Sequence, residues 1–282
     1  RDRIGYKPLC YGKIKDGWMV ASESVAIKTC YSNSVIYNVN PGEIYRINSF
    51  GSQNILKMIT RPSDKLACSF EFIYFMNYKS ITDGILVDDV RHEVGRYLAK
   101  RNTIKHSENA IVIGSPNSGI SYGKAYAKYL KLPYVQALKK LKKERTFILP
   151  TNGERIRKIK SIVSVDYGSV VGREVVLIDD SVVRGNTLKY IIELLRNNGV
   201  KKVHVKIAFP KIISPCYYGI DFPTYKELIG VNKTDDEICS ILGADSLQYT
   251  NIEDLKQTIK IVNSDICTHC LTDDHNLKIY DW

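Results

Sequence analysis

Short runs of alternating apolar and polar residues dominate the first 66 positions of the chain. Pro, Gly and Asn separate these runs, which include Gly17–Ala21, Ser34–Tyr37 and Glu43–Ile47. Alternation with a period of two is typical of strands that bury one face, and the interrupting residues are typical of turns. The pattern predicts that residues 1–66 form part of a sheet domain.

The pattern changes from Cys68 onward, where short apolar runs alternate with segments of helical periodicity. Strands that alternate with helices favour βαβ units, and therefore an α/β fold with a mostly parallel sheet flanked by helices. The predicted strands of this region are Ala110–Ile113, Tyr134–Ala137, Val175–Ile178 and Val203–Ala208.

The clearest predicted helix follows the third of these strands and ends at Gly199. Its apolar residues recur at positions i, i+3, i+4 and i+7; they are Leu188, Ile191, Ile192 and Leu195. Further helices are predicted over Asp88–Lys100 and Asn251–Ile261. No apolar run approaches the roughly 20 residues that a membrane-spanning helix needs, so the sequence predicts no membrane partner.

Composition favours a folded protein of one or two domains, since the chain has 282 residues, of which 44% are hydrophobic and 25% charged. A net charge of +11 is compatible with nucleic acid, an anionic membrane surface or a polyanionic small substrate. Basic residues concentrate between Lys139 and Lys160, around the turn-like Pro150–Gly153. This segment predicts a mobile basic loop.

Seven cysteines in a chain of this length favour a reducing compartment, because dense disulfides are typical of much shorter secreted chains. No targeting segment follows Arg1, so we expect that any such peptide is absent or has been removed. These observations predict a cytoplasmic protein. In that compartment, the spaced pair Cys267-Thr-His-Cys270 requires a metal or redox explanation.

The segment Val175–Thr187 carries the clearest chemical signal. Its strand delivers Asp179 and Asp180 to a carboxyl end, where ligands of open α/β sheets bind. The loop that follows leads directly into the predicted helix, whose N-terminus attracts anions. Two acids beside a phosphate-binding loop suit a sugar phosphate, because carboxylates accept hydrogen bonds from ribose hydroxyls and help to hold Mg²⁺. The alternative, two solvated aspartates before an ordinary helix, explains fewer of the thirteen residues.

This segment resembles the phosphoribosylpyrophosphate signature of type I phosphoribosyltransferases, and the surrounding chain is similar to the glutamine phosphoribosylpyrophosphate amidotransferase family. Asn186 stands where that family usually has Thr. The other segments that carry the resemblance are Arg1–Leu9, Val20–Ala26, Cys68–Phe75, Arg145–Ile148, Pro215–Asp221 and Gly243–Leu247.

The resemblance implies a type I phosphoribosyltransferase fold over residues 67–250, preceded by the end of a glutaminase domain over residues 1–66. Residues 251–282 would form a C-terminal helix and a cysteine-containing tail. It also implies that the substrate contacts come from Asp179, Asp180, Ser181, Val183, Arg184, Gly185, Asn186 and Thr187.

The same resemblance identifies Pro116, Asn117, Ser118 and Gly119 as the loop that binds pyrophosphate, with Asn117 in place of the family's acid. Read alone, these residues would indicate a plain β-turn. Mg²⁺ is expected at Ser118, Asp179 and Asp180. The basic stretch Lys142–Lys160, with Arg145, would be the loop that closes over the substrate and excludes water.

Four cysteines occupy contexts that hold a [4Fe–4S] cluster in some members of the family; they are Cys68, Cys216, Cys267 and Cys270. By itself, a Cys-x-x-Cys pair would rather indicate a redox pair or half of a zinc site. The family's glutaminase nucleophile has no counterpart in this chain, since Arg1, Cys10 and Cys30 do not match its position.

The implied reaction transfers ammonia, obtained from glutamine by the glutaminase domain, to phosphoribosylpyrophosphate at the first step of purine biosynthesis. The implied partners are these small molecules, the missing N-terminal glutaminase portion and further copies of the chain in a dimer or tetramer, without nucleic acid. Two alternatives stay open: a regulator that senses phosphoribosylpyrophosphate and binds DNA, and a salvage phosphoribosyltransferase that uses a free base.

Overall fold

A computed structural model describes residues 1–48, 51–57, 66–141, 163–222, 224–261 and 265–272. By their contacts these residues fall into two compact units. The first comprises Arg1–Arg91 and Glu253–Thr268, and the second comprises His92–Ile252 and the segment that begins at His269. The domain boundary at residue 66 stays a prediction.

The secondary structure consists of short strands and of helices of one to four turns. The strands, in chain order, are β1 (Cys10–Ile14), β2 (Gly17–Ala21), β3 (Ile36–Asn38), β4 (Glu43–Asn48), β5 (Gly51–Lys57), β6 (Leu66–Cys68), β7 (Ile81–Thr82), β8 (Ile85–Leu86), β9 (Ala110–Gly114), β10 (Leu138–Lys140), β11 (Val163–Val165), β12 (Glu174–Asp179), β13 (Lys202–Ile207), β14 (Ser246–Tyr249) and β15 (Asp265–Cys267). The α-helices are α1 (Ser24–Cys30), α2 (Val87–Lys100), α3 (Ile120–Leu130), α4 (Tyr167–Val170), α5 (Asn186–Asn197), α6 (Asp235–Leu242), α7 (Ile252–Thr258) and α8 (His269–Thr272). A π-helical turn covers Glu71–Phe75 and a 3₁₀ turn covers Tyr225–Glu227.

The first unit is built from small sheets. Strand β1 pairs antiparallel with both β2 and β3, and β4 pairs antiparallel with β5. The ring of Tyr11 lies within 5.8 Å of the rings of Trp18, Tyr37 and Tyr45, measured between centroids. A different pairing joins β6 to β15, which run parallel although they come from distant parts of the chain. The strands predicted at Gly17–Ala21 and Glu43–Ile47 are confirmed as β2 and β4, whereas the predicted Ser34–Tyr37 overlaps β3 only at its last two residues.

A four-stranded parallel sheet forms the centre of the second unit. Its strand order is β14-β13-β12-β9, and every residue of β12 is buried. A strand covered on both faces favours a continuous apolar run such as Val175–Ile178. The predicted α/β fold with a parallel sheet is confirmed.

One predicted strand of this sheet is wrong in its extent. In Tyr134–Ala137, only Tyr134 forms a parallel bridge, to Val112, and Val135 N donates to the Val112 carbonyl at 2.9 Å. Conversely, the apolar pattern does not predict β14, because its sequence, Ser-Leu-Gln-Tyr, lacks an apolar run. Its residues are only half-buried, at the edge of the sheet.

The helices follow the predicted periodicity closely. In α5 the buried residues are Leu188, Ile191, Ile192 and Leu195, as predicted, and the left-handed Gly199 follows the helix. Helix α2 begins one residue before its predicted start, whereas α7 is shorter than the predicted Asn251–Ile261. Among the helices of the described ranges, none is both long enough and apolar enough to span a membrane.

Candidate functional site

Two loops of the second unit lie at the carboxyl ends of adjacent strands in its sheet. The first, residues 115–119, joins β9 to α3, and the second, residues 180–185, joins β12 to α5. Since β9 and β12 are adjacent and parallel, both loops emerge at carboxyl ends, where open α/β sheets bind ligands. The N-termini of α3 and α5 lie directly after these loops and add two partial positive charges.

The first loop packs tightly against the end of β12. Ser115 N donates to the Ile178 carbonyl at 2.8 Å, and a Cβ added at Gly119 would overlap the same carbonyl oxygen. Glycine is therefore required at residue 119 by space alone, because its φ of −85° is ordinary. Asn117 adopts a left-handed φ of 73°, which Asn tolerates better than most residues. Pro116 and Ser118 are half-buried.

Asp179 and Asp180 occupy the buried end of β12. Only 8% of Asp179 and 4% of Asp180 is exposed. Their carbonyl groups accept hydrogen bonds from Ala208 N at 2.9 Å and Phe209 N at 2.7 Å, so the segment after β13 fixes their backbone. Both carboxylates also accept hydrogen bonds. Asp180 N donates to Asp179 Oδ1 at 2.9 Å, and Ser181 Oγ donates to Asp180 Oδ1.

The two loops meet through side chains. Ser118 Oγ donates a hydrogen bond to Asp179 Oδ1 at 3.3 Å, which joins residues 61 positions apart. Burial and the neighbouring charge of Asp180 raise the pKa of Asp179 well above its ordinary value. A cation would relieve this repulsion, and carboxylate and hydroxyl oxygens are ligands that Mg²⁺ accepts. The donor set therefore fits the predicted Mg²⁺ site.

The second loop is shaped by Gly185. Its φ of 81° is left-handed, and a Cβ there would lie 2.8 Å from Ile229 Cδ1 and 3.2 Å from Leu242 Cδ2. The close packing lets the loop turn directly into α5. Asn186 begins the helix and is half-buried, whereas Thr187 is exposed.

Two residues that the sequence did not identify hold this loop in place. Ile229 N donates to the Val183 carbonyl at 2.9 Å, and Glu227 forms an ion pair with Arg184. Both come from the segment before α6, more than 40 positions away. No motif around Glu227 or Ile229 points to this role, so only the structure reveals it.

One predicted part of the site lies outside the described residues. Arg145 and the basic stretch Lys142–Lys160 belong to residues 142–162, which the structure does not describe. Their assignment as a closing loop stays a prediction.

Of the four predicted cluster ligands, Cys68 and Cys267 belong to the first unit, and Cys216 and Cys270 belong to the second. In the first unit, Cys68 and Cys267 occupy paired positions of β6 and β15, and Ser69 Oγ donates to the Cys267 carbonyl at 2.6 Å. In the second unit, Ser214 N donates a hydrogen bond to the Cys270 carbonyl at 3.1 Å. Ser214 lies two residues before Cys216. None of the seven cysteines, all of which lie in described ranges, forms a disulfide.

Burial raises the pKa of the Cys68 thiol to about 12. A buried thiol of this kind stays protonated at neutral pH unless a metal stabilises the thiolate. The environment therefore does not suit a reactive thiol.

Comparison with known proteins agrees with this geometry. Residues 85–214 match the phosphoribosyl transferase domain family. The chain is 38% identical over 282 residues to an amidophosphoribosyltransferase of Archaeoglobus fulgidus and 36% identical over 295 residues to that of Methanocaldococcus jannaschii, covering 99% of this chain in both cases. It spans 60% and 61% of those relatives.

A solved structure supports the same relationship. The glutamine phosphoribosylpyrophosphate amidotransferase of Bacillus subtilis, complexed with ADP and GMP, is 36% identical with a TM-score of 0.83. The match covers 99% of this chain and 61% of that one. The chain thus has a type I phosphoribosyltransferase fold and is, over nearly all of its length, a homologue of the amidophosphoribosyltransferases.

Proposed function

We propose that this chain performs the phosphoribosyl transfer of an amidophosphoribosyltransferase. Ammonia attacks C1 of 5-phosphoribosyl-1-pyrophosphate, the bond from C1 to the pyrophosphate oxygen breaks, and pyrophosphate and 5-phosphoribosylamine result. The observation that carries the proposal is the hydrogen bond from Ser118 to Asp179, because it joins a proposed pyrophosphate loop to a proposed ribose site. The reaction belongs to purine biosynthesis and to the cytoplasm.

The proposed roles follow from charge and position. Asp179 and Asp180 accept hydrogen bonds from the ribose hydroxyls, while the backbone of residues 181–187 and the N-terminus of α5 hold the 5′-phosphate. Residues 116–119 hold the pyrophosphate, and Arg145 neutralises part of its charge. Ammonia is already a nucleophile, so no general base is required.

Mg²⁺ is proposed to lie at Ser118, Asp179 and Asp180. Support comes from the donor set, since adjacent carboxylates and a hydroxyl within hydrogen-bond distance of one of them are ligands that Mg²⁺ accepts. When bound, the ion would neutralise negative charge on the pyrophosphate. Asn117, a neutral side chain where the family has an acid, leaves Asp179 and Asp180 as the charged ligands.

The [4Fe–4S] cluster is proposed on Cys68, Cys216, Cys267 and Cys270. Four thiols without disulfides match the number of ligands that such a cluster needs. The chain separates Cys267 from Cys270 by only two residues, a common spacing for two ligands of one cluster. A cluster is larger than a single ion, and its ligands need not meet the spacing of a mononuclear site.

The proposed protein is longer than this sequence. Residues 1–66 are assigned to the end of a glutaminase domain, whose nucleophile has no counterpart among these 282 residues, and residues 67–250 to the transferase domain. Glutamine would supply ammonia through the remainder of that domain. The proposal includes assembly of the chain into a homo-oligomer, a dimer or a tetramer, without a nucleic-acid partner.

The decisive assay measures pyrophosphate release from phosphoribosylpyrophosphate with Mg²⁺, and with ammonium as the nitrogen donor. We expect release that depends on ammonium, and the variant Asp180→Asn should abolish most of it. Asp16→Asn, an exposed aspartate of the other unit, serves as the control.

The same assay separates the alternatives. Release that requires a purine base instead of ammonium would identify a salvage enzyme. Binding of phosphoribosylpyrophosphate without any turnover, under anaerobic conditions with the metal content intact, would instead favour the sensor and contradict the proposed activity.

A further inference from the structure

A second polar cluster lies near the amino ends of the parallel strands, opposite the loops at their carboxyl ends. It consists of His106 before β9, Glu174 at the start of β12 and His204 in β13. The side chains are 7%, 7% and 9% exposed, and their candidate ligand atoms all lie within 4.8 Å of one another. The phosphoribosyl-transfer site does not use these residues, since Asp179 lies roughly 16 Å further along β12.

Both imidazoles face one carboxylate oxygen. His106 Nδ1 lies 2.8 Å from Glu174 Oε1, and His204 Nε2 lies 3.6 Å from the same atom. The two rings are 5.8 Å apart between centroids and inclined by 70°. Two ring nitrogens therefore lie close to the same carboxylate oxygen.

The remaining polar atoms of these side chains are held by neighbours. His204 Nδ1 contacts Ser246 Oγ at 2.8 Å, and His106 Nε2 contacts Tyr126 Oη at 3.5 Å. Glu174 Oε2 accepts hydrogen bonds from Ser107 Oγ at 2.8 Å and Ser107 N at 3.3 Å. Outer contacts of this kind orient metal-binding histidines and carboxylates in proteins.

Metals bind an ionised carboxylate and a neutral imidazole. The hydrogen bond between His106 Nδ1 and Glu174 Oε1, at 2.8 Å, would therefore be replaced by bonds from both atoms to the ion. Ser107 is exposed, so solvent reaches the edge of the cluster.

We infer that His106, Glu174 and His204 form a zinc site, distinct from the proposed Mg²⁺ and cluster sites. Two imidazoles and one carboxylate are a ligand set that Zn²⁺ prefers, whereas Mg²⁺ prefers oxygen ligands alone. The site joins β12, β13 and the loop before β9. The bound ion would hold the amino ends of β12 and β13 to the loop before β9.

The test is a titration of the folded chain with Zn²⁺ and with Co²⁺ as a spectroscopic probe. The protein is purified anaerobically with its cysteine site loaded and kept in excess Mg²⁺, so that neither the thiols nor Asp179 and Asp180 bind the probe. In difference spectra, one Co²⁺ should then bind and give visible d–d bands without sulfur-to-cobalt charge transfer, because no thiolate is a ligand. Zn²⁺ should displace it and raise the thermal midpoint. Absence of these bands, or bands accompanied only by sulfur charge transfer, would overturn the inference.

Variants identify the ligands. His106→Gln and His204→Gln should each abolish the cobalt bands, while His92→Gln, a histidine of α2 outside the cluster, should leave them unchanged. Ser246→Ala removes only an orienting contact and should weaken the affinity roughly 10- to 100-fold, which keeps the test open if a ligand variant does not fold. Bands that survive both ligand variants at full strength would place the metal elsewhere and refute the site.

Discussion

At the scale of single residues, the proposed transfer site concentrates acids that destabilise the unbound fold. Asp179 and Asp180 are adjacent and buried, and Asp179 has a raised pKa because of burial and the charge of Asp180. Sites of this kind trade stability for ligand binding. The two effects can be separated by substitution.

Asp179→Asn should lower activity and raise stability at neutral pH. Loss of a charged hydrogen bond should reduce kcat/KM roughly 10- to 150-fold, while the free energy of unfolding should rise. Since the folded pKa lies above the unfolded one, ionisation of Asp179 costs stability as pH rises through the folded pKa. The gain should therefore vanish below pH 3.8, the ordinary value. Chemical denaturation across pH, with Asp16→Asn as control, measures it, and a loss of stability would contradict this account.

Gly119 offers a second prediction at this scale. Gly119→Ala should cost about 1–3 kcal/mol of unfolding free energy, because the added methyl group overlaps the Ile178 carbonyl and forces the loop to move. Gly168→Ala is the matched control, since Gly168 is in α4 and its nearest neighbour, Asp166 Oδ1, is 3.8 Å away. Equal stability of the two variants, measured by urea unfolding, would show that the loop adapts without strain.

At the scale of elements, the phosphate loop depends on the helix behind it. Helix α5 buries one apolar face in the core of the second unit and leaves Glu193 exposed. The first residue of the helix follows Gly185 directly. Packing of α5 therefore positions both its own N-terminus and the loop before it.

Leu195→Ala should destabilise the protein by about 2–5 kcal/mol, because the side chain is fully buried and leaves a cavity. Glu193→Ala, two residues earlier on the exposed face, should change the free energy of unfolding by less than about 0.5 kcal/mol. Thermal or urea unfolding distinguishes the two. Similar losses in both variants would mean that burial of the apolar face does not control the stability of the element.

Elements were more predictable than the contacts between them. The strand before Asp179 and the helix after Gly185 follow from periodicity, which depends on neighbouring residues. Strand β14 does not follow from periodicity, because an edge strand needs little apolar surface. The Ser118 to Asp179 contact and the His106–Glu174–His204 cluster join residues far apart in sequence, and no local pattern encodes such distances. The family resemblance predicts that Ser118 and Asp179 meet, whereas no feature of the sequence predicts the His106–Glu174–His204 cluster.

At the scale of the whole molecule, the chain passes from one unit to the other between Thr268 and His269. This step lies within the Cys267 to Cys270 segment. Cys267 and Cys270 are both proposed cluster ligands. Metal content should therefore respond to substitution of any of the four proposed cysteines.

Anaerobic purification should yield about four irons and a similar amount of sulfide per chain. Cys216→Ser and Cys68→Ser should each lower the iron content sharply. Cys30→Ser, an exposed cysteine outside the proposed set, should leave it unchanged. Zinc in place of iron, or iron that survives both substitutions, would refute the cluster.

The pairing of β6 with β15 also constrains how the chain acquires its structure. Ser69 and Cys267 are 198 positions apart, and closing a flexible loop of that length costs about 5 kcal/mol of chain entropy. At ribosomal speeds, roughly 10–40 seconds separate the synthesis of the two strands. The parallel sheet of the second unit can form during this interval, whereas one edge of β6 stays unpaired until β15 has been synthesised. We therefore expect the first unit to mature last, and nascent chains that stop before residue 265 to expose that edge to chaperones or to one another.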